Sequence, residues 1–416
     1  MRFDFLICVG AVLMAVAIGG GVVAGEPRSG ADDVRRSREE SRKKSSAGSD
    51  LWILSGQSNA CGRGRPPGLP PSPAVEAFNP ADGKWIPAID PLPGMGTQGV
   101  GPWQAAAIEY AAITRRSVRL AGAARGGSSI ELWNATDGPV WKSLSGVLNR
   151  AGTNADVFLW YQGEADCGKG HDRYLADFQD LIARVRQGCG NPAMTVVVVQ
   201  LSAHQPGRAL DQQSPPQKRL AKGSTSQVMR MREIQRRCIL SDPAAILVTA
   251  LGRDTQDYWH VSTAGQIELG REIGRALAAR LDKVDTAWPG PVLDAAALAA
   301  DGRTVIAHFA EVKKLAGLAA ADFCVVGADG PAATIEAVAV TAEPLGDTRI
   351  GLTFAEPVKL PAALVYGAGD APPAALTDEA GNRAPAVQMQ ITSGRMPDDD
   401  VTTAPNGAGS SLTPRR

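Results

Sequence analysis

The chain has 416 residues, 43 Lys plus Arg against 43 Asp plus Glu, and 44% apolar residues, enough for at least one full core and two to three domains of ordinary size. Its net charge is zero, which excludes the clustered basic excess that nucleic acid or an anionic membrane surface calls for, so neutral small molecules or polymers are the expected partners. Gly and Pro make up about 18% of the chain, short of a low-complexity composition, and most of it is expected to fold.

At the N-terminus Arg2 precedes an apolar run from Phe5 to Val23, and Val23-Ala24-Gly25 then leads into the polar Glu26-Pro27. That pattern predicts a signal peptide over residues 1–25. A retained anchor is the alternative, but it needs about 20 strongly apolar residues, and the second half of this run is mostly Gly, Ala and Val. The expectation is export to the periplasm or the extracellular space, with no stable membrane insertion after cleavage. Residues 26–50 read as a charged, disordered linker: positions 31–50 hold eleven charges and almost no apolar side chain to offset the entropy of ordering. Cys8 leaves with the signal, and the remaining Cys61, Cys167, Cys189, Cys238 and Cys324 form an odd set with at least one unpaired thiol. With no CxxC pair and no HExxH among four histidines, neither a metal nor an organic cofactor is expected.

From 51 to about 284 short apolar runs alternate with helical patterns. The runs are Leu51 to Leu54, Val118 to Leu120, Val157 to Trp160, Thr195 to Leu201 and Ala245 to Thr249. Tyr174, Leu175, Phe178, Leu181, Ile182 and Val185 recur at helical spacing, and a last helix carries Ile267, Ile273, Leu277 and Leu281 behind a capping box at Thr263-Ala264-Gly265-Gln266. This grammar predicts a three-layer α/β/α domain on a parallel sheet. The stretch from about Gln205 to Ser226 reads as a surface insertion. After Pro289-Gly290-Pro291 short strands at Thr304 to Phe309, Phe323 to Val326, Ile335 to Val340 and Arg349 to Phe354 predict a small β-sandwich over 285–392. Residues 393–416 are polar and expected to be disordered.

In an open α/β sheet, reactive groups gather beyond the carboxyl ends of the strands. Four of the five predicted strands run into unusual loops there: Ser55-Gly56-Gln57-Ser58-Asn59-Ala60, Ala124-Arg125-Gly126-Gly127-Ser128-Ser129, Gln162-Gly163-Glu164-Ala165-Asp166 and Asp257-Tyr258-Trp259-His260. A serine hydroxyl becomes a nucleophile when an oriented imidazole takes its proton. Ser58, in a Gly-containing turn after the first strand, suits the first role, although such a serine taken alone is equally a turn or helix cap. His260, just ahead of the last helix, is the candidate base, and Asp257 is near enough to hold its tautomer, with Asp254 as a competitor. His171, His204 and His308 lack that setting. Gly126-Gly127 can present backbone N–H groups to an oxyanion or form a plain turn, and Gln162 offers a neutral amide to it or joins a buried polar network that supports its loop; the N–H of Ser58 would complete the set. Glu164 and Asp166 read as a buried polar network supporting their loop.

At these residues the sequence resembles the SGNH hydrolase superfamily, and within it the sialate O-acetylesterase branch that includes carbohydrate esterase family six. The resemblance rests on LWILSGQSNACGRG, GGSSIELW, WYQGEAD, the MREIQ run at Met231 to Gln235 and DYWHVSTAGQ, which together span 51–281. It implies a flavodoxin-like fold; Ser58 as nucleophile, His260 as base and Asp257 as orienter; and Ser58 N–H, a Gly of the second loop and Gln162 as oxyanion donors. Asn59, Gly126 and Glu164 are expected to support them. The segment LVYGAGDAPPAALTDEAGNRAPA resembles a C-terminal extension of such bacterial esterases. Departures are the insertion after His204 and Cys61 where an apolar residue is usual, so specificity transfers least. The expected activity is removal of O-acetyl groups from a carbohydrate through an acetyl-enzyme. The open alternatives are an esterase of acetylated xylan or another polysaccharide, a conventional α/β-hydrolase whose elbow Gly56-Gln57-Ser58-Asn59-Ala60 approximates, and a non-catalytic carbohydrate-binding surface protein.

Overall fold

The structure, a computed structural model, describes residues 48–96, 99–151, 153–169, 173–202, 226–286, 288–327 and 334–394. The signal segment, nearly all of the predicted linker, most of the insertion, the tail beyond 394, and His171 and His204 lie outside the described residues. Among the described residues no helix is long and apolar enough to cross a membrane.

The N-terminal unit is built on strands β1 (Ser49–Gly56), β2 (Val75–Asn79), β3 (Lys84–Pro87), β4 (Ser117–Ala124), β5 (Val157–Tyr161), β6 (Thr195–Gln200) and β7 (Ala245–Thr249). They form one sheet in the order β3-β2-β4-β1-β5-β6-β7, parallel throughout except for the antiparallel edge pair β2–β3. β1 begins at Ser49, inside the stretch read as linker. Every residue of β5 and β6 is buried, because helices cover both faces and such strands need no polar side. The helices are α1 (Ser58–Cys61), α2 (Trp103–Thr114), α3 (Ile130–Asn134), α4 (Pro139–Ala151), α5 (Tyr174–Cys189), α6 (Gln227–Leu240) and α7 (Thr263–Asp282). α2 packs along α7, while α3 to α6 contact one another in series, which gives an α/β/α arrangement. The chain leaves β1 for β4 on one side and later returns to β5 on the other, so the switch point of the sheet lies at the carboxyl end of β1.

Two local expectations differ from what forms. Strand β2 and the edge strand β3 are additional to the five predicted strands, since VEAFN and KWIP are short and carry weak alternation. The cap of α7 is Ser262, whose Oγ accepts from Gly265 N–H at 3.2 Å, and Thr263 lies one residue inside the helix with its Oγ1 donated to Arg65 O at 2.6 Å. In sequence Thr263 completes the capping-box pattern with Gln266, whereas Ser262 has Gly265 at that place and caps the helix without the reciprocal glutamine.

The C-terminal unit is a closed barrel rather than the expected β-sandwich. Its strands are β8 (Val292–Leu298), β9 (Thr304–Ala310), β10 (Phe323–Gly327), β11 (Ile335–Pro344), β12 (Arg349–Phe354), β13 (Ala362–Tyr366) and β14 (Val387–Ser393), in the order β10-β11-β12-β9-β8-β14-β13. β13 pairs with both β14 and β10, and β14 runs parallel to β8, so the sheet meets itself and has no free edge. Phe309, Phe323, Phe354 and Tyr366 point into its core.

The barrel sits on α6 and on the carboxyl ends of β6 and β7. Gln200, the last residue of β6, donates through Nε2 to Ala386 O and accepts through Oε1 from Ala386 N–H, both at 2.8 Å. The joint is centred on Arg232, which is fully buried. Its Nε donates to Leu201 O (3.1 Å), Nη1 to Gly367 O (3.2 Å) and Gly369 O (2.8 Å), and Nη2 to Ser202 O (2.8 Å) and Asp370 O (2.9 Å). All five guanidinium donors therefore meet backbone carbonyls from both units. Burial pulls the group down to about 10, which leaves it protonated at neutral pH. Arg232→Met, which leaves those carbonyls without donors, is expected to cost about 3–5 kcal/mol, read as a lower denaturant midpoint. A midpoint equal to that of the parent protein would show the joint to be dispensable.

Candidate active site

The nucleophile candidate is positioned by the end of β1. Gly56 has φ 137°, and a Cβ added there would lie 2.0 Å from Tyr161 O on β5; only glycine allows this approach. The chain then turns, with Gln57 N–H donating to Tyr161 O at 2.9 Å, and α1 opens at Ser58. Ser58 is 7% exposed and forms part of the wall of an open cleft of about 280 Å³. Gly127, Glu164 and His260 line the same cleft, together with Gln57, Arg63 and Trp259.

His260 reaches this cleft from the loop after β7. Its Nε2 lies 3.0 Å from Ser58 Oγ and its Nδ1 lies 2.8 Å from Asp257 Oδ2. Asp257 Oδ1 accepts from the backbone N–H groups of Trp259 (2.8 Å) and His260 (2.7 Å), so one carboxylate holds both the ring and the loop that carries it. Burial works against that carboxylate's charge, but the hydrogen bonds from the His260 ring and the two amides outweigh it and keep Asp257 below the usual value. Asp254, the competing orienter, is exposed, and its carbonyl accepts from Ser262 N–H. His308 pairs with Asp294 on the barrel.

The second loop is tied to β1 by Arg125 N–H, which donates to Gly56 O at 3.0 Å. A Cβ on Gly126 would lie 3.8 Å from Ser58 Cβ, and Gly127, with φ +70° and open space around it, faces the cleft. Gln162 is placed differently from expectation. It is fully buried behind the wall, its Nε2 directed at Ser128 O (3.0 Å), Gln57 Oε1 (3.2 Å) and Asp166 Oδ2 (2.5 Å), while its Oε1 accepts from Tyr174 O–H at 2.7 Å. Its two amide hydrogens are thus engaged within the protein, and none is directed to the cleft. Burial pushes Asp166 up, against hydrogen bonds from Gln162 and the N–H of Ile130.

Asn59 is fully buried and joins three loops: Nδ2 donates to Glu164 Oε1 (2.7 Å) and Trp259 O (3.0 Å), and Oδ1 accepts from Val261 N–H (3.1 Å). Gln57, Arg63 and Trp259 were not singled out from the sequence, although each lies inside or beside a motif that was; nothing local distinguishes a cleft-facing side chain from its neighbours. No disulfide joins the five cysteines among the described residues. Burial pushes the thiol of Cys61 up to about 11, so it stays protonated in the helix that opens at Ser58.

A parallel α/β sheet with a serine, an imidazole and a carboxylate hydrogen-bonded in series at its switch point belongs to the class of α/β esterases. Within that class the chain belongs to the carbohydrate esterase family of sialic acid-specific acetylesterases, whose model matches residues 48–279. Among solved structures it is similar to XAC1771, a carbohydrate acetylesterase from Xanthomonas citri, at 20% identity and a TM-score of 0.60 over 82% of this chain and 80% of that one. A protein from Arabidopsis thaliana matches at 21% identity and a TM-score of 0.46, over 56% of this chain and 99% of its own. The acetylxylan esterase Axe2 from Geobacillus stearothermophilus matches at 14% identity and a TM-score of 0.34, over 56% and 94%. No curated protein sequence matches the chain. The similarity to XAC1771 extends past the α/β unit into the barrel, since the α/β unit alone makes up little more than half of the chain.

Proposed function

We propose that the chain is an exported serine esterase that removes O-acetyl groups from carbohydrate through an acetyl-enzyme. The observation that carries this reading is the hydrogen-bonded series Ser58 Oγ, His260 Nε2, His260 Nδ1 and Asp257 Oδ2, with steps of 3.0 and 2.8 Å on the wall of an open cleft. In it, His260 takes the proton of Ser58 as Oγ attacks the acetyl carbonyl, and the new C–O bond leaves the oxyanion to the backbone N–H groups of Ser58 and Gly127. The imidazolium then protonates the departing sugar oxygen, the C–O bond to the sugar breaks, and water activated by the same imidazole releases acetate. Gln162, with its amide engaged elsewhere, shapes the loop behind this pocket instead of donating to the oxyanion. Trp259 and the exposed Tyr258 next to it provide aromatic surface beside the base, suited to the apolar face of a sugar ring.

Export is supported by the N-terminal run after Arg2 with its small residues before Glu26. A purely carbohydrate-binding role finds less support: the aromatic rings of the barrel are all buried, which leaves it no ring to stack on a sugar. The test is acetate release from O-acetylated sialic acid and from acetylated xylan, with rapid acid quench and mass analysis of the Ser58 peptide. One added acetyl group on that peptide together with released acetate is the expected result, and the ratio between the two glycans identifies the sugar class. No acetate from any acetylated glycan would refute the proposal.

A further inference from the structure

Asn59 grips the backbone on both sides of His260, since Trp259 O and Val261 N–H are its partners at 3.0 and 3.1 Å. This works in only one orientation of the amide. Rotated by half a turn, Asn59 would set oxygen against the Trp259 carbonyl and N–H against the Val261 N–H. Glu164 reinforces that orientation, because its Oε1 accepts from Asn59 Nδ2 at 2.7 Å and an ionised carboxylate can only accept, and Gln266 Nε2, 3.5 Å from Asn59 Oδ1, favours the same one. Glu164 itself stands on a rigid turn. Gly163, at φ 147°, packs where a Cβ would lie 3.0 Å from Gln235 Nε2, and Gln57 Oε1 accepts from the next amide, Ala165 N–H, at 3.1 Å.

We propose that Glu164 is a positioning residue: by orienting Asn59 it fixes the segment Trp259–Val261 and so keeps His260 Nε2 within reach of Ser58 Oγ. The inference rests on the function proposed above, in which His260 is the base. A consequence for pH follows from the surroundings of the carboxyl group. Burial pushes it up to about 7, with the Asn59 hydrogen bond opposing and the charge of Asp166 adding to the shift. Tyr161, Tyr174, Cys61 and Cys167 also surround it, and burial pushes all four up, so they stay neutral. Arg63 and His260 share its cleft. When pH falls through about 7, Glu164 takes up a proton, its charge-assisted bond to Asn59 weakens, and the grip on the base loop loosens. Protonation of Glu164 then lowers the rate.

The experiment compares Glu164→Ala and Glu164→Gln with the parent protein on a small aryl acetate. In Glu164→Ala kcat is expected to fall roughly a hundredfold with KM within about threefold, as for a misplaced catalytic group. Glu164→Gln, whose Oε1 can still accept from Asn59, is expected to recover to within about tenfold of the parent. The acid limb of its pH profile should be less steep than the parent's, by the one proton that Glu164 takes up. Unchanged kcat in Glu164→Ala, a change in KM alone, Glu164→Gln as slow as Glu164→Ala, or an acid limb in Glu164→Gln as steep as the parent's would each overturn the proposal. A second readout needs no turnover: with only four histidines, nitrogen-labelled imidazole spectra can follow the Nδ1–H of His260 bound to Asp257. That resonance is expected to move or broaden in Glu164→Ala, and an unchanged one also overturns the proposal. If the parent protein releases no acetate while the resonance responds, the function fails and the positioning role stands.

Discussion

Ser58→Ala is expected to lower kcat for acetate release by on the order of 10^4–10^6, the range seen when the nucleophile of a serine triad is removed. The substitution deletes one oxygen atom at a site that is 7% exposed, so the circular dichroism spectrum and unfolding midpoint should stay those of the parent. Its hydroxyl is hydrogen-bonded to His260 Nε2 at the rim of the cleft, which leaves little structural cost to confuse the reading. What survives would be catalysis by the oxyanion donors and by binding alone. The loss should be equal for a small aryl ester and for an acetylated glycan, because the hydroxyl acts on the acyl group and not on the alcohol. Turnover in the pure variant within tenfold or so of the parent would exclude Ser58 as nucleophile.

Asp257→Asn should cost about 10^4 in kcat, with little effect on KM. An amide in this place can offer N–H to His260 Nδ1, which stabilises the tautomer that carries its proton on Nε2, the wrong side to accept from Ser58. It also withdraws the negative charge opposite the imidazolium formed as the serine attacks. Because Asp257 is held below the usual carboxylate value, its charge is complete at neutral pH. Its contribution to stability is present above the ordinary carboxylate value and lost as pH falls through the lowered one. The asparagine variant should therefore lose part of the parent's acid unfolding transition as well as its activity, and the two measurements together separate an orienting carboxylate from a bystander. An asparagine variant with parental kcat would pass the role to another group.

The apolar runs of β1 and β4 to β7 and the helical spacing in α5 and α7 were legible because they depend on residues two to four positions apart. The loops at the strand ends were legible for a related reason: Gly56, Gly127 and Gly163 mark backbone that no other residue follows easily, and reactive residue types cluster around them. Strands β2 and β3, too short to show a period, were not. Arg232 illustrates a harder case. Its helix carries four arginines, and nothing local separates this one from the other three; its five acceptors come from segments about 30 and about 135 residues away in the chain.

By itself, then, the sequence determined the α/β alternation, the family to which the motifs belong and the loops on which the chemistry stands, since periodicity, turn chemistry and motif order are local properties of the chain. Tertiary structure alone decided that the C-terminal strands close into a barrel, that Ser262 and not Thr263 caps α7, that the amide of Gln162 is turned into the protein, and that Asn59 bonds the backbone on both sides of His260 while donating to Glu164. Each of these is a choice among hydrogen-bond partners far apart in sequence. Such choices are settled by which buried polar groups must find one another once the two cores have formed.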